Sequence, residues 1–469
     1  MLIARAEIFG GGLADLRIEH GKVTAIGHLA PRLGERVLDL QGGAALPGLN
    51  DHHIHLMAYA ASLESVSCGP PQVHGPEQLI EALGSASPNQ DGWIRGIGYH
   101  ESVAGDLERR WLDRHLPDVP IRVQHRSGRL WVVNGAGLKR LARSGVDGAL
   151  PAHDEGRFHD QDEALGRLWG RTPPSVGAAS VRLASYGVTG LTDLTPQNDD
   201  AAAARFGDLR SNGSLLQAIR VGGVLRMYHR LTGPTKVHLH DSAFPDFDGL
   251  CDLIRASHAQ RREVAVHCVT EAELVFTLAA FREAGTCPGD RIEHASITPP
   301  ALLSQLRELR LLVVTQPHFI AERGDAYRRD LTCAEQCWLY RCRGFLDRGI
   351  PLAGGSDAPF GHADPWRAMR AAMTRQTASA GILGEGERLT PEEALSLFLG
   401  ALDEPHKPRR IAVGEAADLC LLDRPWGQAR VRLGSACVRA TVQNGKIIYD
   451  SMDGPEIRRT GMAAPMVAG

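Results

Sequence analysis

Two histidines two residues apart, His53 and His55, follow the run Leu46-Pro47-Gly48-Leu49-Asn50-Asp51. On an extended strand such residues point to one side, so both imidazoles can face a single divalent metal ion. With 20 histidines in 469 residues, a His-x-His pair arises by chance about once. A second pair, His238 and His240, shows how little the spacing says alone. Position says more. Lys236 lies in one short apolar run, His267 and His294 each close another, and Asp357 stands just past a further one. If those runs are the parallel strands of one barrel, their ends meet around a common axis. Each residue also has a plainer reading: structural histidines in a turn, a satisfied polar group at a strand end, or, for Asp357, an Asx-turn or helix cap. The constellation favours a metal site over six such coincidences.

The elements that must position these groups can be traced along the chain. Eight short apolar runs read as strands: Ala44–Asn50, Val188–Leu194, Leu215–Val221, Thr235–His240, Glu263–His267, Arg291–His294, Leu311–Thr315 and Pro351–Gly355. Helical signals fill the intervals. Thr270 and Glu273 form a capping box, Thr298-Pro299 is a helix start, and Asp248 precedes Leu250, Leu253 and Ile254 at helical spacing. Alternating strands and helices predict an α/β fold, a (β/α)8 TIM-like barrel over residues 44–405. The interval after the first strand is too long for one crossover helix. It carries the strand-like Gly92–Tyr99, Pro120–His125 and Leu130–Asn134 and the helix-like Ala136–Ala142, so residues 60–171 read as an insertion that covers the barrel mouth. Alternating strands at both chain ends (Leu2–Ile8, Leu16–Glu19, Lys22–Ile26; Asp418–Leu422, Ala440–Asn444, Lys446–Tyr449) are each too few for a core of their own. A small β-sandwich domain built jointly from 1–43 and 406–450 solves that, with 451–469 as a loose tail.

Composition narrows the function classes. Hydrophobic residues are 43% and charged residues 23%, an ordinary globular balance. Lys plus Arg is 52 against 55 for Asp plus Glu, a net charge of −3, and no run of like charge suggests a nucleic-acid surface. No apolar stretch approaches the roughly 18 residues of a membrane span, and the N-terminus lacks a signal-peptide core. Nine scattered cysteines fit reduced thiols and a cytoplasmic location. Cys333-x3-Cys337-x4-Cys342 lacks the paired spacing of a structural zinc site, no Gly-x-Ser-x-Gly elbow marks a serine hydrolase, and Gly10-Gly11-Gly12 lacks the lysine of a phosphate loop. The expected partner is a small-molecule substrate, with no nucleic acid and no membrane; assembly as a homo-oligomer is compatible with the sequence.

Pro47-Gly48-Leu49-Asn50-Asp51 with His53 and His55, Lys236, Val266-His267, Ile292-Glu293-His294 and Gly355-Ser356-Asp357-Ala358-Pro359 resemble the metal-dependent amidohydrolase superfamily, in its amidohydrolase 3 (YtcJ-like) branch. Ala417-Asp418-Leu419 and Asn444-Gly445-Lys446-Ile447 resemble that branch's C-terminal β-sandwich signature. The resemblance runs over about residues 1–450. It departs at Ser127-Gly128-Arg129, where the branch has Ser-Gly-His.

The resemblance implies one or two divalent metal ions, zinc first among them, held by His53, His55, Lys236, His267, His294 and Asp357. A lysine at the position of Lys236 can take up CO2 and become an anionic N6-carboxylated ligand bridging two metals; as a plain ammonium it would repel them. Bound hydroxide, generated by the metal at neutral pH, would attack a carbonyl. Asp357 would carry the proton to the leaving nitrogen, which departs badly unprotonated. His238, two residues after that lysine, would polarise the carbonyl, as a similarly placed histidine does in urease. The reaction implied is hydrolysis of a C–N bond, a linear amide of N-acyl or N-formyl type. Cyclic amides stay open. So does a mononuclear deaminase of an aminated heterocycle, although such relatives carry His-x-x-Glu after the fifth strand and His267-Cys268-Val269-Thr270 places Thr270 there. A non-catalytic scaffold would have lost ligands, and all six positions are filled. Tyr99, Gln316, His318 and Arg343 are the substrate-binding candidates, with His100, Arg126, Arg129 and Arg323 beside them; the arginines would suit a carboxylate-bearing substrate.

Overall fold

The computed structural model of the chain describes residues 1–70, 72–143, 155–166, 168, 169 and 173–452. Eight strands line up in chain order in one parallel sheet: β1 (Leu49–Ile54), β2 (Val188–Asp193), β3 (Ala218–Gly223), β4 (Thr232–His238), β5 (Val264–Cys268), β6 (Arg291–His294), β7 (Leu312–Thr315) and β8 (Leu352–Gly354). Every residue of β1, β2, β6, β7 and β8 is buried, the signature of strands covered on both faces. The two edges then approach each other. The Asp357 N–H donates to the His53 carbonyl at 2.7 Å, and the His55 N–H donates to that of Ala358 at 2.9 Å. The sheet is thereby nearly closed into a barrel, and the seam runs through the candidate ligands themselves.

Crossover helices follow the strands. Glu271–Ala284 carries the Thr270–Glu273 capping box with both of its hydrogen bonds. Phe247–Ala259 is capped by Asp246, whose side chain accepts from the Gly249 N–H, and Asp248 lies in its first turn. One crossover departs from the strand–helix alternation: β3 passes to β4 without a helix. The register explains it, because Thr232 at the start of β4 sits level with Val221 near the end of β3. The chain has little distance to travel back before it pairs again.

The first expected strand, Ala44–Asn50, divides in two. Ala44–Pro47 belongs to a different sheet, parallel to Leu2–Ile8 and antiparallel to Leu419–Leu422, and the barrel strand begins only at Leu49. An unbroken apolar run carries no sign of where one sheet hands over to the next, except the break at Pro47-Gly48. That second sheet has eight strands drawn from both chain ends, with Val37–Asp39 paired beside Leu2–Ile8. Its apolar cluster joins Ile3, Leu16 and Val23 to Leu419, Leu421 and Val442. The expected sandwich is therefore a single mixed sheet. Met57–Ser175 is a compact unit of its own, with a five-stranded sheet and apolar clusters around Leu79, Leu83 and Val123 and around Trp93, Trp131 and Phe158. Most of the expected tail, from residue 453 onward, lies outside the described residues.

The seam leaves no room at Gly355. A Cβ there would fall 2.5 Å from His53 Cβ and 2.7 Å from its backbone nitrogen. Gly355→Ala is expected to cost about 1–3 kcal/mol in denaturant unfolding and to weaken metal uptake with it. Wild-type stability in that variant would contradict the close seam.

Candidate metal centre

His53 lies near the end of β1 and His55 just past it, β6 ends with His294, and Asp357 stands three residues past β8. One ring nitrogen each of His53 and His294 and one carboxylate oxygen of Asp357 lie within 4.8 Å of one another, all three residues buried. Asp357 Oδ1 is 3.1 Å from His55 Nε2 and 3.5 Å from His53 Nε2. Next to this group the His267 ring lies 4.6 Å from that of His294, and the His238 ring 4.4 Å from that of His267. Two of these positions have left-handed backbone without being glycine, His294 at φ 72° and Asp357 at φ 52°. Such conformations cost of order 1–3 kcal/mol each and persist only where surrounding bonds over-determine them. Here Thr315 Oγ1 donates to the His294 carbonyl at 2.9 Å, and the Asp357 carbonyl accepts the N–H groups of Phe360 and Gly361.

Three histidines are held by their outer nitrogens. His53 Nδ1 lies 2.6 Å from Glu293 Oε2, His294 Nδ1 lies 2.7 Å from Gln316 Oε1, and His55 Nδ1 lies 3.2 Å from Thr195 Oγ1. With Nδ1 committed, Nε2 is the nitrogen left to face the centre, which is how metal-binding imidazoles are usually oriented. Burial pushes the His53 imidazole down to about 4 and that of His294 down to about 3, and His267 falls well below its ordinary value for the same reason. All three are neutral at pH 7, as a metal ligand must be. Burial works to raise the Asp357 carboxyl, but its hydrogen bond with His55 together with the charge interactions of His53, His294 and His55 outweighs that and holds the group ionised. Lys236, on β4, is buried with no hydrogen-bond partner for Nζ, and burial lowers it toward the neutral amine. Neutral imidazoles, a carboxylate and an unpaired amine in one buried cluster make a donor set that fits a divalent metal.

The remaining expectations scatter. His238 is exposed at the end of β4 and so is open to a substrate. Gln316 is fully buried behind His294, its carbonyl oxygen spent on that ring. His318 is also buried, its Nε2 donating to the Ser356 carbonyl at 3.0 Å. Arg343, a substrate candidate, instead clamps Glu393 through both terminal nitrogens, because a guanidinium finds its best partner in a nearby carboxylate. Tyr99 belongs to the Met57–Ser175 unit, where its hydroxyl donates to the Gly105 carbonyl at 2.7 Å. Arg129 in the same unit is held by Asp160. Sequence reasoning missed the groups that orient the ligands: Glu293, Thr195, and Asp193, which accepts the N–H groups of Leu56 and Thr195 and so ties the end of β1 to the residue beside His55. Glu293 did carry a signal, since a carboxylate inside the short buried run Arg291–His294 needs a partner.

Barrel, seam and ligand cluster together form a candidate divalent-metal centre at one end of the barrel. A sequence model of the amidohydrolase family matches residues 36–449, and the chain belongs to that family. It is an enzyme, a hydrolase of carbon–nitrogen bonds with small-molecule substrates. It is 23% identical to the N-substituted formamide deformylase of Arthrobacter pascens over 88% of this chain and 90% of that protein. To the Bacillus subtilis protein YtcJ it is also 23% identical, with 88% and 90% covered. An uncharacterized metal-dependent hydrolase from Pyrococcus horikoshii shares its fold with a TM-score of 0.72 at 20% identity, covering 90% of this chain and 96% of that one. No helix among the described residues is long and apolar enough to cross a membrane.

Metal bound to such a centre is linked to stability. At free metal 100 to 1,000 times its Kd, unfolding is expected to cost about 3 to 4 kcal/mol more than after chelation. Identical melting curves for metal-replete and chelator-treated protein would contradict the site.

Proposed function

We propose that this enzyme hydrolyses a linear amide of N-acyl or N-formyl type. The observation that carries the reading is the convergence of histidine ring nitrogens and the Asp357 carboxylate, with the outer nitrogens of His53, His55 and His294 tied down behind them. The formamide activity in the name of the Arthrobacter relative supports the substrate class. His53, His55, His267, His294 and Asp357 would hold one or two divalent ions, zinc by the nitrogen and oxygen donors, with Lys236 as a further ligand once carboxylated to a carbamate. Forming that carbamate joins the Lys236 Nζ to the carbon of CO2 with loss of a proton, and a buried, unpaired Nζ pushed toward its neutral form favours that step. A metal in this place supplies Lewis acidity and a water acidic enough to react at neutral pH.

Asp357 then has a defined task. Ionised and beside His55, it accepts the proton of the attacking water and returns it to the departing nitrogen. His238, exposed next to His267, donates to the substrate oxygen as negative charge develops there. A deaminase fits less well. Its ring-protonating glutamate would stand at Thr270, and Thr270 is spent on the Glu273 N–H as a helix cap. All nine cysteines are free thiols, which supports a reducing compartment such as the cytoplasm.

Asp357→Asn is expected to lose at least ~10²-fold in kcat on a formamide or N-acyl panel while retaining part of its metal. Turnover close to wild type would remove Asp357 from the proton-transfer role. Elemental analysis should find about two metal equivalents in the wild type and fewer in Lys236→Ala. Equal metal content in both proteins would remove Lys236 from the ligand set.

A further inference from the structure

Glu293 touches a ligand on one side and a buried cation on the other. Its Oε2 lies 2.6 Å from His53 Nδ1, and its Oε1 lies 2.6 Å from Arg291 Nε, an ion pair rather than a straight hydrogen bond. Arg291 is itself anchored, with Nη2 donating to the His52 carbonyl at 3.1 Å. Arg291, Glu293 and His53 are each no more than 1% exposed, so no solvent competes for these bonds. An ionised carboxylate only accepts hydrogen bonds. His53 Nδ1 must therefore carry the ring proton, and the lone pair is left on Nε2, 3.5 Å from Asp357 Oδ1.

We propose that Glu293, backed by Arg291, is a positioning residue that locks His53 in the one tautomer able to bind metal. The inference rests on the metal-centre reading above. Arg291 needs an acceptor on one oxygen of residue 293, and His53 needs an acceptor on the other. Glutamate satisfies both. Glutamine cannot, because one of its two ends is an NH2 donor. Turned toward Arg291, that NH2 sets donor against donor. Turned toward His53, it demands an unprotonated Nδ1, moves the ring proton to Nε2 and abolishes the ligand. Removing Arg291 as well releases the conflict, since the amide can then offer its oxygen to His53.

Co2+ affinity, measured by chelator competition together with the visible absorption of the bound ion, tests this. Glu293→Gln is expected to bind Co2+ about 10–100-fold more weakly than wild type, with an altered spectrum. The double variant Arg291→Met/Glu293→Gln is expected to recover most of that loss. Should Glu293→Gln not fold, the comparison moves into the Arg291→Met background. There Glu293→Gln is expected to keep the metal and Glu293→Ala to lose it. Wild-type affinity in Glu293→Gln, no recovery in the double variant, or equal affinity of the last pair would overturn the proposal. Failure of the wild type itself to bind Co2+ would instead overturn the metal-centre reading.

Discussion

An imidazole has two nitrogens, and a metal site built from imidazoles works only if the protein decides which of them faces inward. That decision organises the centre of this molecule. Glu293, Gln316 and Thr195 each occupy an outer nitrogen, on three different strands or their ends, and the inner nitrogens gather around Asp357. Burial then keeps the His53 and His294 rings neutral, so their lone pairs stay available at physiological pH. Orientation and protonation are thus set by the same act of enclosure. Neither would survive at an exposed site, where water would compete for every one of these bonds.

Enclosure has a cost, visible in what lies beneath the ligands. Arg291 and Glu293 are both removed from solvent, and an isolated buried ion would be strongly unfavourable. Their mutual contact and the additional bonds to His52 and His53 offset it. The seam between β1 and the segment after β8 plays the mechanical part. Asp51 Oδ1 accepts from both His53 N–H and Ser356 N–H, so one carboxylate stitches together two strand ends that are far apart in the chain. Gly355 allows the approach, and the left-handed turn at Asp357 aims its carboxylate back at the histidines. The fold holds the site most tightly where the barrel closes.

Much of this was legible in the residue order, for a physical reason. Barrel strands buried on both faces read as short apolar runs, and a histidine or aspartate at the end of such a run stands out against them. His53, His55, His267, His294 and Asp357 are all of this kind. Less legible was anything that depends on distance across the fold. The run Ala44–Asn50 gives no hint that it serves two sheets, because burial in either demands the same apolar residues. Nor does a sequence reveal that Gln316 and Arg343 already have partners; both side chains look available until Gln316 is found on His294 and Arg343 on Glu393. The orienting groups were hidden for the same reason. Thr195 resembles any loop threonine until its neighbour His55 is known.

Whether these inner nitrogens share one ion can be read by diffraction. Crystals grown with zinc and measured on both sides of the zinc absorption edge should show an anomalous peak bonded to Nε2 of His53 and His55, with Glu293 still on His53 Nδ1. A peak elsewhere in the molecule, or one bonded to a Nδ1 atom of these rings, would contradict the account.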